Sequence, residues 1–169
     1  MKKLVCLGFF FLLATINLNG QNRVSVEANM GPVIGDETKY HSINFQANAN
    51  YLWGISQNIY LGLTMGGSIF WGEGKNPGWF GSIPAVYFPF GMAGRLNPTD
   101  FLKIGGDLGY AFSLDDTNGL YYRPLISYQA TPRLSLLLAY SNIVGDDGET
   151  FTEESFIVSA ITIGVNISL

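Results

Sequence analysis

The chain has 169 residues, 9 of them basic and 13 acidic, for a net charge of −4, a balance that excludes a nucleic-acid binder relying on clustered Lys and Arg. Only 13% of residues are charged, against about one quarter in an ordinary soluble domain, while 14% are aromatic and 21 are glycine. Cys6 is the only cysteine and falls in a leader-like segment, so the remaining chain forms no disulfide and no cysteine metal site.

Lys2 and Lys3, the apolar run from Leu4 to Ala14 and the small Gly20 read as a cleavable signal peptide over residues 1–20. The run is short of the roughly 20 apolar residues that a helical membrane span needs. Loss of Lys2 and Lys3 with this leader takes the net charge from −4 to −6. Residues 21–169 then form one domain, with room for eight strands of about 9–11 residues and their connections.

The first predicted strand, 23–31, sets Val24, Val26, Ala28 and Met30 against Arg23, Ser25, Glu27 and Asn29, the period of two that gives a strand unlike faces. A polar connection, 32–41, follows. The second strand, 42–53, is the clearest in the chain. Ile43, Phe45, Ala47, Ala49, Tyr51 and Trp53 alternate with Ser42, Asn44, Gln46, Asn48 and Asn50, and Leu52 alone is out of place. Its polar face is amide and hydroxyl without charge, which suits a narrow wet lumen better than bulk solvent. Tyr51 and Trp53 sit where an outward strand end meets lipid headgroups.

After the turn 54–58, the third strand, 59–71, turns Ile59, Leu61, Leu63, Met65, Ile69 and Trp71 outward. Gly62, Thr64, Gly66 and Ser68 face inward, with Tyr60 and Phe70 at the ends. A glycine-rich loop, 72–80, leads to a fourth strand, 81–92, of mixed parity with Pro84 and Pro89; without it the sheet would be odd and open. The turn 93–100 precedes the fifth strand, 101–112, with Leu102, Ile104, Leu108, Tyr110 and Phe112 outward and Lys103, Asp107 and Ala111 inward. The sixth strand, 120–129, places Tyr122, Ile126 and Tyr128 outward and Arg123 inward. The seventh, 134–142, places Leu134, Leu136, Leu138 and Tyr140 outward, and the eighth, 155–169, alternates Ile161, Ile163, Val165 and Ile167 with Thr162, Gly164, Asn166 and Ser168.

Loops and turns alternate, and the loops are the more acidic. The expected fold is therefore all-β: an eight-stranded antiparallel up-and-down transmembrane β-barrel preceded by a cleavable signal peptide, with both termini and the short turns periplasmic. Tyr51, Trp53 and Tyr128 are predicted to form a lower aromatic girdle, and Trp71, Tyr110, Phe112, Tyr122 and Tyr140 an upper one. A soluble lipocalin-like barrel is the rival, and it would turn the same apolar parity inside.

On this architecture the chain resembles the small eight-stranded outer-membrane barrels of the OmpA and OmpX type, the outer-membrane β-barrel domain or porin-family proteins. The resemblance implies residence in the cell outer membrane, lipid and lipopolysaccharide as surroundings, insertion by the barrel-assembly machinery and a monomeric state. It departs from many family members at Leu169, where they end in an aromatic residue.

Glu27, Lys103, Asp107 and Arg123 are the charges predicted to face the lumen, and small barrels pair such charges because unpaired ones are costly. They are expected to form one ion network plugging the interior, with a narrow passive pore as the alternative. His41 beside Ser42, with Asp36 and Glu37 near, offers a Ser–His–acid triad only in composition. The segment Ala139-Tyr140-Ser141-Asn142 looks like the His-x-Ser-Asn segment of lipid A deacylase barrels with alanine in the histidine's place, which implies a degenerate, inactive relative. Acidic loops 115–119 and 146–154 supply oxygen ligands but no full EF-hand spacing. The expectation is a non-enzymatic barrel with no catalytic residue, metal or cofactor, acting structurally or through its outer loops.

Overall fold

Among the described residues, eight strands run antiparallel to their sequence neighbours: β1 (Arg23–Ile34), β2 (Ile43–Gly54), β3 (Ile59–Trp71), β4 (Ala85–Leu96), β5 (Leu102–Ser113), β6 (Gly119–Gln129), β7 (Leu134–Asp146) and β8 (Ser155–Ser168). β8 returns to pair with β1, Ser25 opposite Ser168 and Met30 opposite Ile163, so the sheet closes and has no open edge. The computed structural model describes residues 22–72, 84–114, 118–146 and 155–169. The leader 1–20, most of the glycine-rich loop and the acidic stretches 115–117 and 147–154 lie outside the described residues.

Alternation decides which face each residue takes. In β3, Leu61, Leu63, Met65, Ile69 and Trp71 are exposed while Tyr60, Thr64, Ser68 and Phe70 are buried. β2 and β6 alternate in the same way, so large apolar side chains cover the outside of the barrel all round. Met65 is 57% exposed and Ile163 64%, with no water-facing charge between them on the outer parity of their strands. Soluble monomers rarely expose apolar patches beyond a few hundred Å². The apolar parity faces out, opposite to the lipocalin-like rival.

The interior is layered. Toward the loops lies an apolar cluster of Val33, Phe70, Tyr87, Ala111, Tyr121, Ile143, Val158 and Ala160, in which the Phe70 and Tyr87 rings meet edge to face at 5.8 Å. The lumen is thus apolar at this end, where the sequence already turns Phe70 inward. At mid-height the buried side chains are charged and amide groups, among them Glu27, Gln46, Asn48, Asp107 and Arg123. Two smaller apolar clusters, Leu52–Tyr60–Ala93 and Leu125–Leu137–Ala139, complete the filling.

Each strand-borne proline interrupts one ladder and keeps the other. Pro32 pairs with Ile43 on β2, but the β1–β8 register skips from Met30 to Val33. Pro89 opposes Ala111 on β5, and the β3–β4 register skips Gly66 and Gly67. Pro124 opposes Gly106, and the β6–β7 register skips from Tyr122 to Leu125. The missing proline N–H accounts for all three gaps. On the lumen side Gly91 opposes Gly109, and a Cβ on either would collide with the other strand's backbone, so only glycine lets β4 and β5 approach there.

Three strands differ from the sequence reading. β4 runs from Ala85 to Leu96 instead of 81–92, because Tyr87, Pro89, Ala93 and Arg95 carry the inward parity past Met92 into the expected turn. β7 continues four residues beyond Asn142 to Asp146, with Ile143 buried in the apolar cluster, and β1 continues past Gly31 to Ile34.

In lipid bilayers, Leu138→Arg on the outer face is expected to cost about 2–4 kcal/mol, and Leu120→Arg near the loop end about 1 kcal/mol or less. Equilibrium unfolding of the barrel reconstituted in vesicles measures both.

Candidate functional site

Arg123 organises the mid-height layer. β6 carries it inward, opposite Asp107 on β5, and no part of it reaches solvent. Its Nε and Nη2 both lie 2.9 Å from Asp107 Oδ2, and Nη2 also donates across the barrel to Glu27 Oε2 on β1. Nη1 donates to Gln46 Oε1 at 3.5 Å and, with the Asn48 amide turned so that its nitrogen faces the Ala47 carbonyl, to the Asn48 oxygen. Gln46 Nε2 in turn donates to the Tyr121 hydroxyl at 2.8 Å, which joins the ionic layer to the apolar one above it.

Glu27 is held as fully. Its Oε1 accepts from Asn50 Nδ2 at 3.0 Å and Asn166 Nδ2 at 2.9 Å, side chains from the strands on either side of β1. A second guanidinium completes the group: Arg95 Nη1 donates to Asp107 Oδ1 at 2.7 Å and to the Gly94 and Gly106 carbonyls, and its Nη2 stands 3.6 Å from Glu27 Oε1. Two carboxylates and two guanidiniums thus balance within a layer tied to β1, β2, β4, β5, β6 and β8.

Of the charges singled out from the sequence, Glu27, Asp107 and Arg123 meet in this layer and Lys103 does not. Lys103 lies four residues below Asp107 on the same strand, about 13 Å at the usual rise, and among the described residues it forms no ion pair. Arg95 takes the place given to it. The signal for Arg95 was present in the alternation of Tyr87, Ala93 and Arg95 with Phe88, Met92 and Leu96, but two prolines and three glycines in that region obscured it.

The triad candidates lie between β1 and β2, with His41 buried and Ser42 exposed. Ser42 donates its hydroxyl to the Trp71 carbonyl at 3.4 Å, and Asp36 and Glu37 lie in a short 3-10 turn, Asp36–Lys39. Ser141 is buried on the lumen side, whereas its neighbour Asn142 lies on the outer parity and donates to the Tyr122 and Tyr140 hydroxyls. Adjacent strand residues point to opposite faces of the wall, so Ser141 and Asn142 serve no common site.

The aromatic side chains form two belts on the outside. Near the turns, Tyr51 packs edge-on against the half-buried Trp53 at 5.1 Å, and Tyr128 meets Phe101 at 6.1 Å. Near the loops, Tyr110 and Phe112 meet at 5.2 Å, Tyr122 and Tyr140 at 6.2 Å, and Trp71 stands exposed. Phe101 belongs to the lower belt without having been assigned to it.

No protein-family model and no curated protein sequence matches the chain. Solved structures do match in fold. Ail, the attachment invasion locus protein of Yersinia pestis, aligns over 89% of this chain and 99% of its own, with 11% identity and a TM-score of 0.55. Ail in a phospholipid bilayer nanodisc aligns over 89% and 100%, with 11% identity and a TM-score of 0.57. A de novo designed transmembrane β-barrel aligns over 87% and 95%, with 12% identity and a TM-score of 0.54. The chain therefore has the closed eight-stranded antiparallel fold of transmembrane β-barrels.

Arg123→Met leaves Glu27 and Asp107 to share Arg95 as their one guanidinium, and it is expected to cost about 3–5 kcal/mol. Lys103→Met, which breaks no ion pair, is expected to cost less than about 1 kcal/mol. Urea titration in detergent micelles, read by loss of the compact electrophoretic form, compares them.

Proposed function

We propose that this protein is a non-enzymatic outer-membrane barrel, exported by its leader 1–20 and acting at its loop end, with the lumen closed to solutes. The observation that carries the reading is the filled interior: below the apolar layer and beside the ionic one, the chamber toward the turns measures only about 40 Å³. A solute pore needs a continuous water path, and the Arg123 layer and the Phe70–Tyr87 layer both stand across it. Function then falls to the ends.

The loop end is strongly acidic. Every acidic residue other than Glu27, Asp107 and Asp100 falls on a loop connection or at its edge, against Lys39 and Lys75. Such a surface attracts cations and cationic partners and repels polyanions. In an outer membrane, with the turns and termini periplasmic, it faces lipopolysaccharide, whose phosphates divalent cations bridge to carboxylates. Ail has been solved with the heparin analogue sucrose octasulfate; the charge on the loops here argues against a sulfated ligand at that end. The monomer and insertion by the barrel-assembly machinery complete the proposal.

In planar bilayers the barrel is expected to give no discrete conductance; single-channel steps abolished by Arg123→Ala would instead establish a pore. Nanodiscs carrying the barrel are expected to bind immobilised poly-lysine and not heparin. Neutralising the loop acids at positions 115, 116, 146, 147, 149, 153 and 154 is expected to remove that binding while the heat-modifiable gel shift persists, and binding that survives neutralisation would contradict the loop reading.

A further inference from the structure

The charges toward the turns do not balance. Glu27 and Asp107 are matched by Arg123 and Arg95 in the layer above, which leaves Lys103 and Arg23 as additional cations. Both line the small chamber of about 40 Å³, together with Arg95, Ser127, Ser135 and, at its inner end, Glu27, whose carboxylate is already held by Arg123, Asn50 and Asn166. Arg23 is fixed there by its guanidinium lying over the Tyr60 ring, 4.1 Å from the centroid. Arg95, only 8% exposed, keeps an Nη2 that makes no hydrogen bond. That nitrogen has only the Glu27 carboxylate, at 3.6 Å, and the half-buried Lys103 has no ion-pair partner among the described residues, so one added oxyanion could accept from both.

The chamber opens toward the turns into a wider vestibule of about 570 Å³, which shares Arg23, Asn97, Lys103 and Ser168 with it. Asp100 is the acidic side chain lining that vestibule, and it lies exposed at the rim, not in the chamber. We infer that the turn-side mouth is a binding site for a small oxyanion group, a carboxylate or a phosphate, whose charged oxygens enter the chamber between Lys103, Arg23 and Arg95 while the rest of the molecule stands in the vestibule. The chamber volume corresponds to a few water molecules, which suits the head of one such group and excludes a whole sugar or nucleotide. The serine hydroxyls of Ser127 and Ser135 supply neutral donors on the wall, and the charge-assisted bonds come from the three cations. The site lies at the opposite end from the acidic loops and is independent of what they bind.

The test uses the full barrel refolded in nonionic detergent, titrated with sodium phosphate and separately with sodium acetate at constant ionic strength and followed by amide chemical shifts. Saturable shifts at Lys103, Asn97 and Ser168, with Tyr121 and Asn142 unmoved, are expected for at least one anion, and the anion that saturates tells a phosphate-bearing from a carboxylate-bearing ligand. Lys103→Met is expected to abolish saturation, Lys103→Arg to retain it, and Arg23→Gln to weaken it, with the gel shift on boiling showing that each variant is folded. Shifts that rise linearly with both anions, or saturation unchanged in Lys103→Met, would overturn the site.

Discussion

Everything at the centre of this barrel depends on a buried guanidinium finding enough acceptors. Arg123 is without solvent contact, and an isolated buried charge is prohibitively costly, so Asp107, Glu27, Gln46 and Asn48 are required around it in fixed positions. Those side chains come from β1, β2 and β5 and meet Arg123 from β6, which makes the network a cross-brace between opposite walls. Apolar residues of equal volume fill a core as stably. The ionic brace adds position, because each donor accepts one registry of its strand, and a slip by one residue would carry Arg123 or Glu27 into the outer apolar face.

The same period of two produces both solvents that the barrel meets. One parity supplies Leu, Ile, Met and aromatic residues to the outside, with an aromatic belt at either end. The other supplies small, amide and charged residues, packed in layers that pass from apolar beneath the loops to cationic at the turns. Charge is polarised along the barrel axis, with carboxylates at the loop end and Arg23 and Lys103 at the turn end.

Much of this was legible from the chain because alternation is a local signal. β2 and β3 stand within a residue of their expected limits, and the inward positions of Glu27, Asp107 and Arg123 follow from parity alone. Height along the strand is not a parity property, which is why Lys103 was grouped with Asp107, about 13 Å along the strand from it. Arg95 was hidden by Pro89 and Gly91, residues that lower strand propensity but fit where a ladder is interrupted or two backbones approach. The upper apolar layer was hidden for a related reason. Val33 and Ile143 lie on strand extensions among glycines and acids that read as loop, and only closure of the barrel brings them together with Val158 of β8.

The most direct test of the account is the sidedness of β7, where Leu136, Leu137 and Leu138 are indistinguishable in composition. Leu137 is buried and its neighbours are exposed. A fluorophore attached at Leu136→Cys, Leu137→Cys and Leu138→Cys in turn, in vesicles containing spin-labelled lipid, reads which side chains face the bilayer. Strong quenching at 136 and 138 with little at 137 is the expected result. Equal quenching at all three positions, or quenching greatest at 137, would contradict the register, the lumen network built on it and the membrane-facing assignment together.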